Sequence, residues 1–188
     1  MSGWAWLAIA ALPVIVAIYL YNNLVGLRAA IRNSWSQIDV QLKRRLDLIP
    51  NLVETVKGSA KHEQETLLRV ISARNAVLQH GPSHAPERLA AEAQLSQALA
   101  GFKMTIEAYP DLKASAQFSQ LMQSVEDTEN RIAMARQALA DEIERYDTAR
   151  QSFPAVLVAA PLGFGPETGW SMAETERGQA QQAPKIAF

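Results

Sequence analysis

The sequence predicts an all-α protein. An N-terminal transmembrane helix continues into an antiparallel long-helix bundle of three to four helices, and an irregular tail follows. Three observations carry this expectation. Residues 3–21 hold no charged side chain, and the first charge in the chain is Arg28. From Leu24 onward the apolar positions recur in steps of three and four, the helical period. Beyond Pro154, prolines at 161, 166 and 184 and glycines at 163, 165, 169 and 178 interrupt any long helix. The expected domains are an anchor over 1–23, a helical bundle over 24–153 and an irregular tail over 154–188.

The anchor is long and apolar enough to cross the hydrocarbon core as one helix. Trp4 and Trp6 stand at one end and Tyr19 and Tyr21 at the other, where aromatic rings with a polar edge settle among headgroups. Pro13 lies near the middle, where a membrane helix tolerates a kink. A cleaved leader needs a basic start and a small-residue cleavage site, and neither Met1-Ser2-Gly3 nor residues 22–28 supply them, so a retained anchor is expected. Arg28, Arg32, Lys43, Arg44 and Arg45 all follow the span, which puts the body in the cytoplasm and the N-terminus outside. Arg28 and Arg32 lie nearest the span and are the expected headgroup contacts.

The first long helix is expected to run from Leu24 to about His80. Its stripe is Leu24, Leu27, Ile31, Trp35, Ile38, Leu42, Leu46, Ile49, Val53 and Val56, and the set returns every eleven residues, close to a straight helix. The stripe keeps phase across Pro50, which argues for a kinked continuous helix over a hairpin there. Gly81-Pro82-Ser83 marks a loop. A second helix follows from about Glu87 to Tyr109 with Leu89, Leu95, Leu99, Phe102 and Ile106 inward. A third runs from about Ser115 to Phe153 on the heptad seam Phe118, Leu121, Val125, Thr128, Ile132, Ala135 and Leu139. Apolar residues of the tail, from Phe153 to Ala160 and from Leu162 to Phe164, are expected to cap the open end of the bundle.

Helix lengths raise a question of cover. At 1.5 Å per residue the first helix would span about 85 Å and the second about 35 Å. Folding back from the loop, the second helix stops short of the anchor and leaves the proximal stripe bare. Ile31, Trp35, Ile38, Leu42, Arg45, Leu46 and Asp47 are therefore the expected oligomer or partner interface. Arg45 and Asp39 border the stripe and are placed to set its pairing register.

Chemistry-bearing patterns are sparse. The chain has no cysteine and a formal net charge of -1, so thiol chemistry, Cys-based zinc sites and a basic nucleic-acid surface are excluded. His80 and His84 have chelating spacing but sit in a Gly-Pro loop, and His62-Glu63 lacks a second histidine. The runs Glu126-Asp127-Glu129 and Asp141-Glu142-Glu144 read as solvated helix faces, with Arg131, Arg136 and Arg145 as partners. No catalytic residue, metal ligand or cofactor is expected. The expected partners are the lipid bilayer, further copies of the chain in a homo-oligomer and other membrane proteins.

The run YNNLVGLR from Tyr21 to Arg28 and the run NSWSQIDVQLKRRLDLIPNLVETVKG from Asn33 to Gly58 resemble the LemA family of bacterial membrane proteins. Ala108–Lys113, Thr128–Ala133, Phe153-Pro154, Gly163-Phe164 and the terminal Ala183-Pro184-Lys185-Ile186 fit the same pattern, so the resemblance covers nearly the whole chain. It implies a single span in the bacterial inner membrane, an outward N-terminus, a cytoplasmic antiparallel helical bundle and no established enzymatic activity. One magnetosome-associated branch of the family is linked to membrane shaping. The chain departs from the family in its tail, where Trp170 stands in place of a more usual aromatic pair. The expected function is a membrane-anchored scaffold that self-associates or binds partners. The alternative is an accessory or sensor subunit of a membrane protease or signalling system.

Overall fold

A computed structural model describes residues 3–57 and 64–170. The described residues form α1 (Gly3–Lys57), α2 (Gln64–Gln79), α3 (Pro86–Ile106), α4 (Pro110–Lys113), α5 (Ala116–Gln151) and α6 (Val156–Ala159), with no strand among them. α1 passes Pro13 and Pro50 unbroken. Ile49 and Val53 are buried on either side of the exposed Pro50, so the stripe holds its phase.

The first long helix does not continue to His80. Arg74 Nε donates to the Leu46 carbonyl at 3.2 Å. In one continuous helix those residues would stand about 42 Å apart. The chain therefore reverses between Lys57 and Gln64, and α2 returns along the distal part of α1. Val70 and Val77 join Leu46, Val53 and Val56 in one core. Residues 58–63, with His62, lie outside the described residues, as do 171–188 and the terminal family-like motif.

The loop between α2 and α3 turns at Gly81, whose φ of 63° is the left-handed region that glycine enters without a Cβ clash. Pro86 opens α3, at a position where its missing N–H costs no helical bond. Leu89, Leu95, Leu99, Phe102 and Ile106 are all buried, as the stripe requires. α3 and α5 are antiparallel, since Ser96 meets Glu129 while Lys103 meets Glu126. Phe118, Val125, Thr128, Ile132 and Leu139 of the α5 seam are buried.

The chain forms two compact units. One comprises residues 39–133, with α2, α3, α4 and the adjoining parts of α1 and α5 around the core just described. The other holds the chain up to Ile38 together with 134–169. There Leu24, Ile31, Trp35 and Ile38 of α1 are buried, along with Leu139 and Tyr146 of α5 and Ala155, Ala159 and Phe164 beyond it. α6 ends in a Schellman motif: Phe164 N–H bonds the Ala159 carbonyl, Gly163 N–H bonds the Ala160 carbonyl, and Gly163 has φ of 79°.

The bare stripe expected from helix lengths is corrected by this packing. Ile31, Trp35, Ile38, Leu42, Arg45 and Leu46 are buried within the chain, and of the seven expected interface residues Asp47 alone is exposed. α3, at 21 residues, is too short to reach the proximal stripe, but α5 is not. α5, at 36 residues, spans about 54 Å.

Candidate functional site

Two arginines of α1 organise the polar interior, one in each unit. Arg45 has no side-chain exposure. Its seam position between Leu42 and Ile49 forces the guanidinium inward. Nη1 donates to Glu129 Oε1 and to Ser96 Oγ, each at 2.6 Å, and Nη2 pairs with Glu92. Ser96 Oγ donates in turn to Glu129 Oε2 at 3.1 Å. Glu92 is also fully buried and accepts from Arg88 Nε and Nη2 at 3.1 and 2.9 Å. Arg88 reaches on to the Gly81 carbonyl of the loop. Two positive and two negative groups thus balance, which is the condition for holding charge in a core.

This cluster joins α1, α3 and α5 at fixed heights. Both oxygens of each carboxylate are taken up by donors, so neither glutamate is free to act as a base. Arg45 and Asp39 were expected to set register between helices. Arg45 makes its register contacts inside the chain, and Asp39 Oδ2 lies 3.1 Å from His84 Nε2. Among the described residues no group of three His, Asp or Glu could hold a metal ion. A polar cleft lined by Asn51, Glu54, Thr55, Gln120 and Ser124 offers amides and hydroxyls around a single carboxylate.

In the other unit Arg28 is the centre. Nη2 donates to Tyr146 Oη at 3.1 Å and to the Gly163 carbonyl at 3.2 Å, while Nε lies 2.8 Å from Glu167 Oε1. The guanidinium carbon lies 4.9 Å from the Phe164 ring centre and 5.8 Å from that of Tyr146, within cation–π range. Tyr146 Oη donates to the Gly165 carbonyl at 2.8 Å. Tyr21 meets Phe164 edge to face, with ring centres 5.4 Å apart. Arg28, expected at the headgroups, is therefore engaged within the chain, because Glu167 neutralises it and the Gly163 carbonyl and Tyr146 hydroxyl accept its N–H hydrogen bonds. Arg32, Trp4, Tyr19 and Tyr21 are exposed, and the Trp6 side chain lies outside the described residues.

Arg88, Glu92, Tyr146 and Glu167 escaped the sequence reading. Arg88 and Glu92 begin the α3 seam that continues through Leu95, Leu99, Phe102 and Ile106, so charged residues at seam positions were the available signal. Tyr146 stands seven residues beyond Leu139 on the α5 seam and was reachable by one more heptad step. Glu167 had no local signal.

Comparison with curated proteins finds no match. The family model described as LemA family matches residues 34–188, most of the chain and including Arg45, Glu92 and Glu129. On that match, this chain belongs to the LemA family.

Proposed function

We propose that the protein is a membrane-anchored helical scaffold at the cytoplasmic face of the bacterial inner membrane, where it self-associates and binds partner proteins. The observation that carries the reading is the contrast along α1. Leu12, Val14, Ile15 and Ile18 are all more than half exposed, whereas Leu24, Ile31 and Ile38 are at most 2% exposed. α1 is the one helix among the described residues that is long and apolar enough to cross a membrane. An exposed apolar helix face of that extent needs a lipid or protein environment. The basic residues that follow it support a cytoplasmic body.

With the stripe covered, association falls to the outward face of α1, where Val40, Lys43, Arg44 and Asp47 are exposed at helical spacing inside the family-like block. A photocrosslinking amino acid in place of Val40 in the full-length protein, in cells, tests this. Adducts between copies support the scaffold. Adducts to one foreign protein with none between copies replace it with the accessory-subunit reading, and no adduct at this position removes the face from consideration. The same probe at Trp35 is the buried reference and is expected to yield only internal links.

A further inference from the structure

We propose that the segment from Phe153 to Leu162, containing α6, is a second membrane contact, an apolar loop lying in the lipid interface beside the anchor. It rests on the membrane-anchor reading above and extends it to a part of the chain far away in sequence. Residues 151–166 carry no charge. Within that run Phe153 is 80% exposed, Leu157 65%, Val156 48% and Leu162 45%. Ala155, Ala159 and Phe164 face inward and are buried. The segment thus holds itself in place with small residues and one ring, and it presents its larger aliphatic groups outward. Such an arrangement inverts the usual order for a loop in water, where polar side chains cover the outer face.

Its position identifies the occupant. α5 meets α1 where Tyr146 accepts from Arg28, and beyond α5 the chain returns to Arg28 through the Gly163 carbonyl and Glu167. The intervening excursion is pinned at both ends to one residue, the first charged residue after the span. Phe164 then reaches seven residues up α1 towards the apolar stretch and packs on Tyr21, an expected headgroup-zone ring. The nearest charges are disposed to suit an interface. Asp147 and Arg150 pair with each other at 2.9 Å, and Glu167 pairs with Arg28, so the loop is flanked by neutralised pairs. An uncharged apolar loop held beside the end of a span meets the lipid at the depth where interfacial segments lie, about 5–10 Å into the headgroup and acyl boundary.

The chain has no cysteine, so single labelled sites are clean. Leu157→Cys, Ile15→Cys and Gln120→Cys are each labelled with an environment-sensitive fluorophore in the full-length protein. Each is reconstituted into phosphatidylethanolamine–phosphatidylglycerol vesicles, with lipids brominated at shallow or deep acyl positions as quenchers. The expected result is a blue-shifted emission at 157 that is lost with shallow bromines, loss at 15 with deep bromines, and no loss at 120. Loss at 15 without loss at 157 overturns the loop contact and leaves the anchor standing. No loss at 15 overturns the anchor itself and, with it, the present inference. A blue shift at 157 without quenching by any lipid means that protein covers the loop, which also overturns the proposal. Leu157→Glu with a label at Val156 is the second variant. Its side chain is exposed, so the unit should keep its helicity while the quenching at 156 disappears; persistence of that quenching with the carboxylate present counts against insertion.

Discussion

Arg28 and Arg45 stand on the same helix, and the difference between them shows how this chain divides its work. Arg45 is sealed from water and paired through its two terminal nitrogens with two carboxylates and a hydroxyl. Arg28 is about one-third exposed and satisfied by a phenol, a carbonyl, two rings and one carboxylate. A buried ion cluster is intolerant of losing a member, because the partner left behind cannot be rehydrated. A half-exposed cation loses less, because water replaces what is removed. The first arrangement fixes helix register, and the second fastens a returning segment beside the end of the apolar stretch of α1.

The largest effect expected follows from breaking the buried cluster. Arg45→Met should destabilise the protein by about 3–5 kcal/mol, a large share of the stability of an ordinary domain. Arg45→Met combined with Glu92→Met should cost less than the sum of the two single changes, since the two no longer leave each other's charge unpaired, while Arg88 loses Glu92 and Glu129 loses Arg45 in the double variant as in the singles. Urea titration in detergent measures both. Strict additivity would mean that Arg45 and Glu92 do not act as a pair.

Ile38→Ala comes next. Removal of a fully buried aliphatic group should cost about 2–5 kcal/mol. Because Ile38 is covered within its own chain, the loss should not depend on protein concentration. A loss that shrinks as concentration rises would restore the intermolecular stripe inferred from helix lengths. Smaller again is Glu167→Gln, which removes the charge facing Arg28. It should cost about 1 kcal/mol or less and vanish in 1 M salt, where the screening length is about 3 Å. Equal losses at low and high salt would assign the effect to packing of the returning segment.

Much of this architecture is legible in the sequence, and the exceptions share a physical origin. Periodicity finds the seams of α1, α3 and α5 because burial selects apolar side chains one helical turn apart. It passes over Glu92 because a paired charge occupies a seam position as securely as leucine does. Pro50 looked like the sole candidate for a reversal, yet a proline on an exposed face leaves the buried face in phase. The reversal falls between Lys57 and Gln64, where the stripe stops. Partnering between distant segments, such as Arg28 with Glu167, has no periodic signature and appears only in the folded chain.

The least of the expected effects sharpens the same contrast from the solvent side. Lys103 and Glu126 pair across α3 and α5 at 2.8 Å with both side chains about half exposed. The hydrogen bond to Glu126 holds the Lys103 ammonium above its ordinary 10.5; the charges of Glu126 and Glu107 add to this, and slight desolvation opposes it. A lysine whose pKa is raised by folding contributes stability that is complete below its unfolded pKa and is lost as pH rises through its folded value. The stability difference between the parent and Lys103→Met should therefore stay constant from neutral pH to the ordinary lysine range and disappear above it. Comparing the two proteins at each pH cancels the titration of other groups common to both. A difference that survives once the ammonium is neutral would belong to side-chain packing and not to the ion pair, and a difference unchanged across the whole range would leave the exposed pair no charge-dependent share in the register.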